Sequence, residues 1–125
     1  MNKAILLDPK YVQAYLWRGK TKYEVSDTLG AIKDYNKTIQ LNPKDIEVYY
    51  YYRAVMNEQL QNHKGVIADC TKAIELKYKY LALCFAMRGT AKVKVQDKKG
   101  ACADFTKATE LGDASAPGLI KKFCE

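Results

Sequence analysis

Three aspartates and three arginines recur along the chain at intervals of 35 residues, and they are its first candidates for chemistry. They are Asp34, Asp69 and Asp104, and Arg18, Arg53 and Arg88. Clustered carboxylates can act as an acid–base pair or bind a cation. The long interval instead places successive aspartates on neighbouring structural units, so we expect no acid cluster. We predict that each arginine pairs with the aspartate sixteen residues later, because an unpaired buried charge is costly.

The cysteines and the single histidine could bind zinc or carry redox chemistry. The cysteines are Cys70, Cys84, Cys102 and Cys124, and the histidine is His63. No two cysteines have the Cys-x-x-Cys spacing of a zinc or redox site. The sequence therefore predicts reduced thiols, with no disulfide and no metal. Cys70 should be the most buried, because it shares a column of the 35-residue pattern with Tyr35 and Phe105.

The sequence contains no motif typical of an enzyme. It has no glycine-rich phosphate loop and no nucleophile elbow. His63 lies in a predicted turn, and the sequence fixes no nucleophile or carboxylate beside it. We therefore expect a non-catalytic protein without a cofactor.

Composition and charge limit the class of protein further. The chain has 125 residues, of which 48% are apolar and 28% are charged, which suits one packed domain. No apolar run approaches the roughly 20 residues of a membrane span, and the first residues match neither a signal peptide nor a lipidation motif. The net charge of +7 is diffuse, since residues 1–43, 44–78 and 79–125 carry +3, 0 and +4. Membrane and nucleic-acid partners are thus not expected, and the compartment stays open.

Many other residues share the period of 35, which indicates a repeat protein. Matching columns are Gly30, Gly65 and Gly100; Ile39, Ile74 and Thr109; Leu41, Leu76 and Leu111; and Tyr15, Tyr50 and Phe85. Apolar spacing predicts a first helix in each copy over residues 11–25, 46–60 and 81–95, and a second helix over residues 28–41, 63–76 and 98–111. Asp27, Asn62 and Asp97 precede the second helices as N-caps. Helix pairs that stack in this way form an α-solenoid.

Several segments resemble tetratricopeptide repeats. Residues 4–9 (AILLDP) and 38–43 (TIQLNP) are similar to the helix-end signature of that family, and residues 15–19 (YLWRG), 30–35 (GAIKDY) and 85–89 (FAMRG) are similar to its other elements. The resemblance covers almost the whole chain. It implies an all-α fold, an α-solenoid of antiparallel helix pairs with three repeats and a C-terminal capping helix. Ala54, Val66 and Tyr78 depart from the family pattern, so we expect the second repeat to be looser or shifted.

The resemblance also divides the chain. Residues 1–9 should be the tail of an incomplete preceding repeat, residues 10–45, 46–80 and 81–113 the three repeats, and residues 114–125 the capping helix. The incomplete unit should leave Ile5, Leu6, Tyr11 and Tyr15 short of neighbours. Since large exposed apolar patches tend to be covered by another chain, we predict a homo-oligomer that associates through the N-terminal end.

In tetratricopeptide repeats the first helix of each pair lines a concave groove, so the resemblance implies a peptide-binding surface. If the column of Tyr15, Tyr50 and Phe85 lies in the core, the candidate groove residues are Leu16, Trp17, Lys20, Tyr51, Tyr52, Val55, Met87, Thr90 and Lys94. Their aromatic and basic side chains suit a peptide with apolar anchors and some acidic residues. We therefore interpret the chain as a non-catalytic protein–protein interaction module.

One partner class can be tested against the sequence. Tetratricopeptide domains that bind the acidic C-terminal tails of heat-shock chaperones use a carboxylate clamp of lysine, asparagine and arginine side chains. The matching positions here are Leu16, Lys20, Tyr52, Leu83 and Met87. Only Lys20 carries a charge, so a chaperone tail is not expected.

Two alternative functions remain open. An RNA-binding helical repeat of the pentatricopeptide type has the same period, although its typical helix ends differ from those found here. A purely structural segment of a longer scaffold would show the same repeats without a ligand. A salt-dependent nucleic-acid shift would favour the first alternative, and a groove without a ligand would favour the second.

Overall fold

A computed structural model describes residues 17–19, 21–22 and 27–125 of the chain. Helical residues 17–19 and 21–22 precede the helices α1 (Thr28–Gln40), α2 (Ile46–Gln59), α3 (His63–Glu75), α4 (Leu81–Lys94), α5 (Lys98–Glu110) and α6 (Ala116–Cys124). The described part contains no strand, which confirms the all-α fold. Among these residues no helix has the length and apolarity that a bilayer crossing requires. Ile5, Leu6, Tyr11 and Tyr15, on which the predicted self-association rests, lie outside the described residues.

Each helix packs against the next one along the chain, from α1 through to α6. The first helices α2, α4 and α6 begin at Ile46, Leu81 and Ala116, and the second helices α1, α3 and α5 begin at Thr28, His63 and Lys98. This constant interval and sequential packing confirm the α-solenoid. The short helix α6 covers α5, as expected for a capping helix.

The second helix of every pair begins at the predicted N-cap. The side chains of Asp27, Asn62 and Asp97 accept hydrogen bonds from the backbone N–H groups of Gly30, Gly65 and Gly100, at 3.0, 3.1 and 2.9 Å. Each bond satisfies a backbone donor that has no partner within the helix. A Cβ atom at Gly30 or Gly100 would overlap the capping carboxylate, so the glycine column and the cap column depend on each other.

The three predicted ion pairs are confirmed. The guanidinium Nη2 atoms of Arg18, Arg53 and Arg88 lie 2.7, 2.7 and 2.8 Å from the carboxylates of Asp34, Asp69 and Asp104. All three aspartates are buried. Burial alone would raise the pKa of Asp34, but hydrogen bonds from Arg18 and Lys22 and their charges outweigh it and lower the pKa. This pair therefore stabilises the fold above the ordinary carboxyl pKa and loses that contribution as the pH falls below it.

The buried aspartates differ in their additional partner. Lys22 lies 3.3 Å from Asp34 and Lys92 lies 3.1 Å from Asp104. The same column in the second repeat holds Asn57, whose amide donates to Asp69 at 2.9 Å. Asp69 thus has one cationic partner, whereas Asp104 has two.

The arginines also connect neighbouring repeats, which the sequence analysis did not predict. Arg53 Nη1 donates to Asn36 Oδ1 of α1 at 2.8 Å, and Arg88 Nη1 donates to Thr71 Oγ1 of α3 at 3.1 Å. An aromatic ring three residues before each arginine packs on its guanidinium. The Cζ atom of Arg53 lies 5.4 Å from the centre of the Tyr50 ring, and that of Arg88 lies 5.3 Å from the centre of the Phe85 ring. Each of these arginines therefore contacts its own helix, the second helix of its own pair and the second helix of the preceding pair.

Small residues beside each arginine set the distance between paired helices. A Cβ atom at Gly89 would come within 2.6 Å of the Phe105 ring, and one at Gly19 within 3.3 Å of the Tyr35 ring. The second repeat has Ala54 instead of glycine and the smaller Cys70 instead of an aromatic residue, and both are fully buried. Ala54 is larger than the glycine of the other repeats, and Cys70 on the facing helix is smaller than their aromatic residue. The two changes compensate, which offsets the looser helix packing expected from Ala54.

The prediction of four reduced cysteines is wrong, because Cys102 and Cys124 form a disulfide with a Cα–Cα distance of 5.9 Å. Their separation of 22 residues gave no indication of proximity, but α6 folds back on α5 and brings its last residue to the first turns of α5. Cys70 and Cys84 are free and fully buried. Cys70 is as deeply buried as predicted, and Cys84 equals it.

We predict that Arg53→Met destabilises the domain more than Arg88→Met. Removal of one partner from a buried ion pair typically costs about 3–5 kcal/mol. Asp104 keeps Lys92 after the change, whereas Asp69 keeps only the neutral Asn57. The difference in the free energy of unfolding, measured by urea denaturation, should be about 1 kcal/mol or more. Equal losses would contradict the role assigned to Lys92.

A second prediction concerns the close contact at Gly89. Gly89→Ala should lower the free energy of unfolding by about 1–3 kcal/mol, because the added methyl group would overlap the Phe105 ring. Gly118→Ala is the matched control, since a Cβ atom there meets no other atom within 4 Å. That substitution, inside a helix, should raise stability by about 0.5–1 kcal/mol. A Gly89→Ala protein as stable as the parent would show that the helices need no glycine here.

Candidate peptide groove

The predicted groove residues occupy different environments. Trp17 is 75% exposed and Lys94 is exposed, while Tyr51, Tyr52, Val55 and Thr90 are half-buried. Met87 is only 9% exposed, because it packs with Ala54, Val66 and Cys70 between the second and third repeats. Met87 therefore belongs to the core, contrary to the expectation that it faces a ligand. Leu16 and Lys20 lie outside the described residues.

The structure also changes the assignment of the tyrosine run in α2. Tyr50 was expected in the core, but Tyr49 occupies it, with 1% of its surface exposed, and packs with Ala31, Tyr35 and Met56. Burial raises the pKa of Tyr49 to about 12, and nearby Asp45 adds to the shift. Tyr50 is half-buried and lies against the Arg53 guanidinium. Phe85, in the same column, packs on Arg88 in the same way.

Five tyrosines form a continuous row across the repeats. Ring centroids are separated by 5.5 Å from Tyr35 to Tyr52, 5.9 Å from Tyr52 to Tyr51, 5.0 Å from Tyr51 to Tyr78 and 5.4 Å from Tyr78 to Tyr80. Burial raises the pKa of Tyr78 to about 12, whereas Tyr80 at the end of the row is 52% exposed. Tyr51 and Tyr52 thus hold repeats together, and each keeps part of its surface accessible.

One face of α4 combines apolar and polar residues. Leu83, Met87, Thr90 and Lys94 follow one another at steps of four, three and four residues, which places them on one side of a helix. Leu83 is 39% exposed, and Tyr80, three residues earlier, extends the apolar end of the face. The sequence analysis named Leu83 only as a clamp position and left both Leu83 and Tyr80 out of the groove residues, although the same helical spacing could have identified Leu83.

The other end of this face opens on a cavity. The cavity has a volume of about 250 Å³ and is lined by Glu58, Gln61, His63, Val66, Thr90, Ala91 and Lys94. Glu58, His63 and Lys94 make no ion pair or side-chain hydrogen bond with the described part of the chain. The sequence suggested that His63 is a solvated turn residue, but it is half-buried as the first residue of α3.

The charges near this surface are mainly positive. The Lys79 ammonium lies 5.0 Å from the centre of the Tyr80 ring, at the apolar end of α4. Lys94 lines the cavity at the other end, as does Glu58. The arginine and aspartate side chains of the second and third repeats form ion pairs with each other. The free groups can therefore bind the backbone and the charged side chains of a ligand, and the apolar residues between them can bury its apolar side chains.

No protein-family model and no curated protein sequence matches the chain. Solved structures match over nearly its whole length. The tetratricopeptide domain of Arabidopsis OM64 is 27% identical, with a TM-score of 0.79, and the match covers 90% of this chain and 93% of that one. The second tetratricopeptide domain of human RPAP3 is 24% identical, with a TM-score of 0.81 and coverage of 94% and 99%. The N-terminal domain of STI-1 from C. elegans is 23% identical, with a TM-score of 0.81 and coverage of 93% and 96%.

These neighbours agree with the repeated residue columns and with the stacked helix pairs. The resemblance inferred from the sequence is thereby confirmed, and the chain has the tetratricopeptide-repeat fold.

Proposed function

We propose that the chain is a non-catalytic interaction module that binds a peptide segment of a partner protein along α2 and α4. The observation that carries this proposal is the face of α4, where exposed Tyr80 and Leu83 stand at one end and a cavity at the other. Glu58, His63 and Lys94 of that cavity form no ion pair within the part of the chain that the structure describes. Neither the apolar end nor the cavity groups belong to the ion pairs that hold the repeats. A surface with these properties suits peptide recognition.

Two structural neighbours support a peptide as the class of ligand. The second tetratricopeptide domain of human RPAP3 was solved with the HSP70 peptide SGPTIEEVD. The first such domain of Spaghetti (RPAP3), 21% identical to this chain, was solved with the HSP90 peptide SRMEEVD. Both are chaperone peptides that end in EEVD and combine apolar with acidic residues, so these neighbours bind the ligand class that the sequence analysis did not expect for this chain.

The ligand of this chain should be held mainly through apolar side chains. Tyr52, Leu83 and Met87 stand where the chaperone-tail clamp has polar residues, so three of its groups have no counterpart. Lys79 and Lys94 flank the surface, and the chain has a net charge of +7. An internal peptide segment with two apolar anchors and a few acidic residues therefore fits better than a free C-terminal carboxylate.

A displayed library of linear twelve-residue peptides tests this preference. We expect enriched sequences to combine apolar residues with aspartate or glutamate, without a requirement for a free C-terminus. Synthesis of the best peptide as acid and as amide should give affinities within about twofold, because no clamp holds the terminal carboxylate. Enrichment of sequences that must end in a free aspartate would contradict the proposal. Absence of any enriched peptide would favour a structural scaffold, and tighter, salt-dependent binding of single-stranded RNA would favour the RNA-binding alternative.

We predict that Leu83→Ala weakens binding of the selected peptide about tenfold or more, as for a central apolar contact. Leu76→Ala is the matched control, because Leu76 is 40% exposed, like Leu83, but is the C-cap residue of α3. The control should change the affinity less than about twofold. Isothermal titration calorimetry measures both dissociation constants, and circular dichroism verifies that both variants are folded. Equal effects of the two substitutions would show that the peptide does not lie on this face of α4.

A further inference from the structure

The capping helix α6 occupies the position of the first helix of a fourth repeat. It begins at Ala116, as far along the chain from Leu81 as Leu81 is from Ile46. Phe123 then stands in the arginine column after Arg53 and Arg88, and its ring lies 6.2 Å from that of Phe105. The interactions by which an arginine joins neighbouring repeats are therefore missing at this junction.

The non-covalent contacts of α6 are apolar packing and the hydrogen bonds that Asp113 accepts at its first turn. Ala116 is its only buried residue and packs with Ala86 and Ala108. The helix has nine residues, and isolated helices shorter than about 12 residues are marginal in water. Among the described residues none of its side chains forms an ion pair with another helix. No ion pair in the described part of the chain therefore fastens α6 to α5, and the bond between Cys102 and Cys124 adds a covalent link to this apolar packing.

The four cysteines divide into two classes that differ in accessibility. Cys102 and Cys124 are both half-buried, so a small thiol can reach their disulfide. Cys70 and Cys84 are fully buried, and burial raises the pKa of the Cys84 thiol to about 11 and that of Cys70 further. Because the thiolate is the reactive form, redox chemistry is confined to the pair that fastens the capping helix.

We propose that the Cys102–Cys124 disulfide is a redox latch, which holds α6 on α5 when oxidised and lets it detach when a dithiol reductant reduces it. A thiolate of the reductant attacks one sulfur of the disulfide and forms a mixed disulfide, while the other cysteine leaves as a thiolate and takes up a proton. The second thiolate of the reductant then releases the remaining cysteine. Two electrons pass to the protein, and the reductant becomes a disulfide. Detachment uncovers the face of α5 that holds Phe105 and Ala108.

Hydrogen–deuterium exchange on the full chain, with and without dithiothreitol, tests the latch. Closure of a loop of this length by a disulfide corresponds to roughly a hundredfold change in an opening equilibrium. Amides of α6 should therefore exchange about a hundredfold faster after reduction, and amides of α2 to α4 should change less than about threefold. The double variant C102S/C124S should match the reduced protein without dithiothreitol. Iodoacetamide should label Cys102 and Cys124, but not Cys70 or Cys84, in the reduced folded protein.

Three results would overturn the proposal. Equal protection of α6 before and after reduction would show that its non-covalent contacts suffice. An equal increase in exchange for all helices would show that the disulfide stabilises the whole domain and not a local latch. Four free thiols in the untreated, denatured protein would show that the bond does not form.

Discussion

The arginine–aspartate pairs, whose carboxylates are buried, are the constraint on which the rest of the structure depends. A charged side chain at a helix crossing must be satisfied on every side, and Arg53 and Arg88 meet that requirement with groups from three helices. Asp69 and Asp104 come from the second helix of the same pair, and Asn36 and Thr71 come from the preceding pair. The pairing within a repeat and the stacking between repeats therefore use one side chain. Where that residue is replaced, at Phe123, a disulfide joins the last helix instead.

This constraint also decides which residues remain for a ligand. The arginines, the buried aspartates and the rings of Tyr50 and Phe85 are engaged with one another, and Met87 fills the junction between two repeats. Leu83 and Lys94 are the exposed residues of α4, and the exposed Tyr80 precedes its first residue. A partner that binds here competes with none of the interactions that hold the fold.

Much of the fold was predictable because a repeat supplies several copies of the same local signal. The columns of arginine, aspartate and N-cap residues gave the helix pairs, their caps and all three ion pairs. The burial of Tyr49 was not predictable from the period alone, since neighbours in a run of tyrosines differ only in the face that they present. The disulfide was missed for a related reason: Cys124 lies in α6, after the three repeats, so its distance from Cys102 does not follow the period. The contact of Ala54 with Cys70 shows that a departure from the pattern can be matched by another on the facing helix.

A double-mutant cycle between Arg88 and Thr71 tests most directly whether the arginine couples adjacent repeats. The two residues belong to different repeats and share one hydrogen bond of 3.1 Å, so the cycle isolates that link from the Arg88–Asp104 pair. The free energies of unfolding of Arg88→Met, Thr71→Val and the double variant would be measured by urea denaturation. We expect an interaction energy of about 0.5–1.5 kcal/mol, the range of a typical intramolecular hydrogen bond. Effects that add within about 0.3 kcal/mol would contradict the account, because the repeats would then be held together by apolar packing alone.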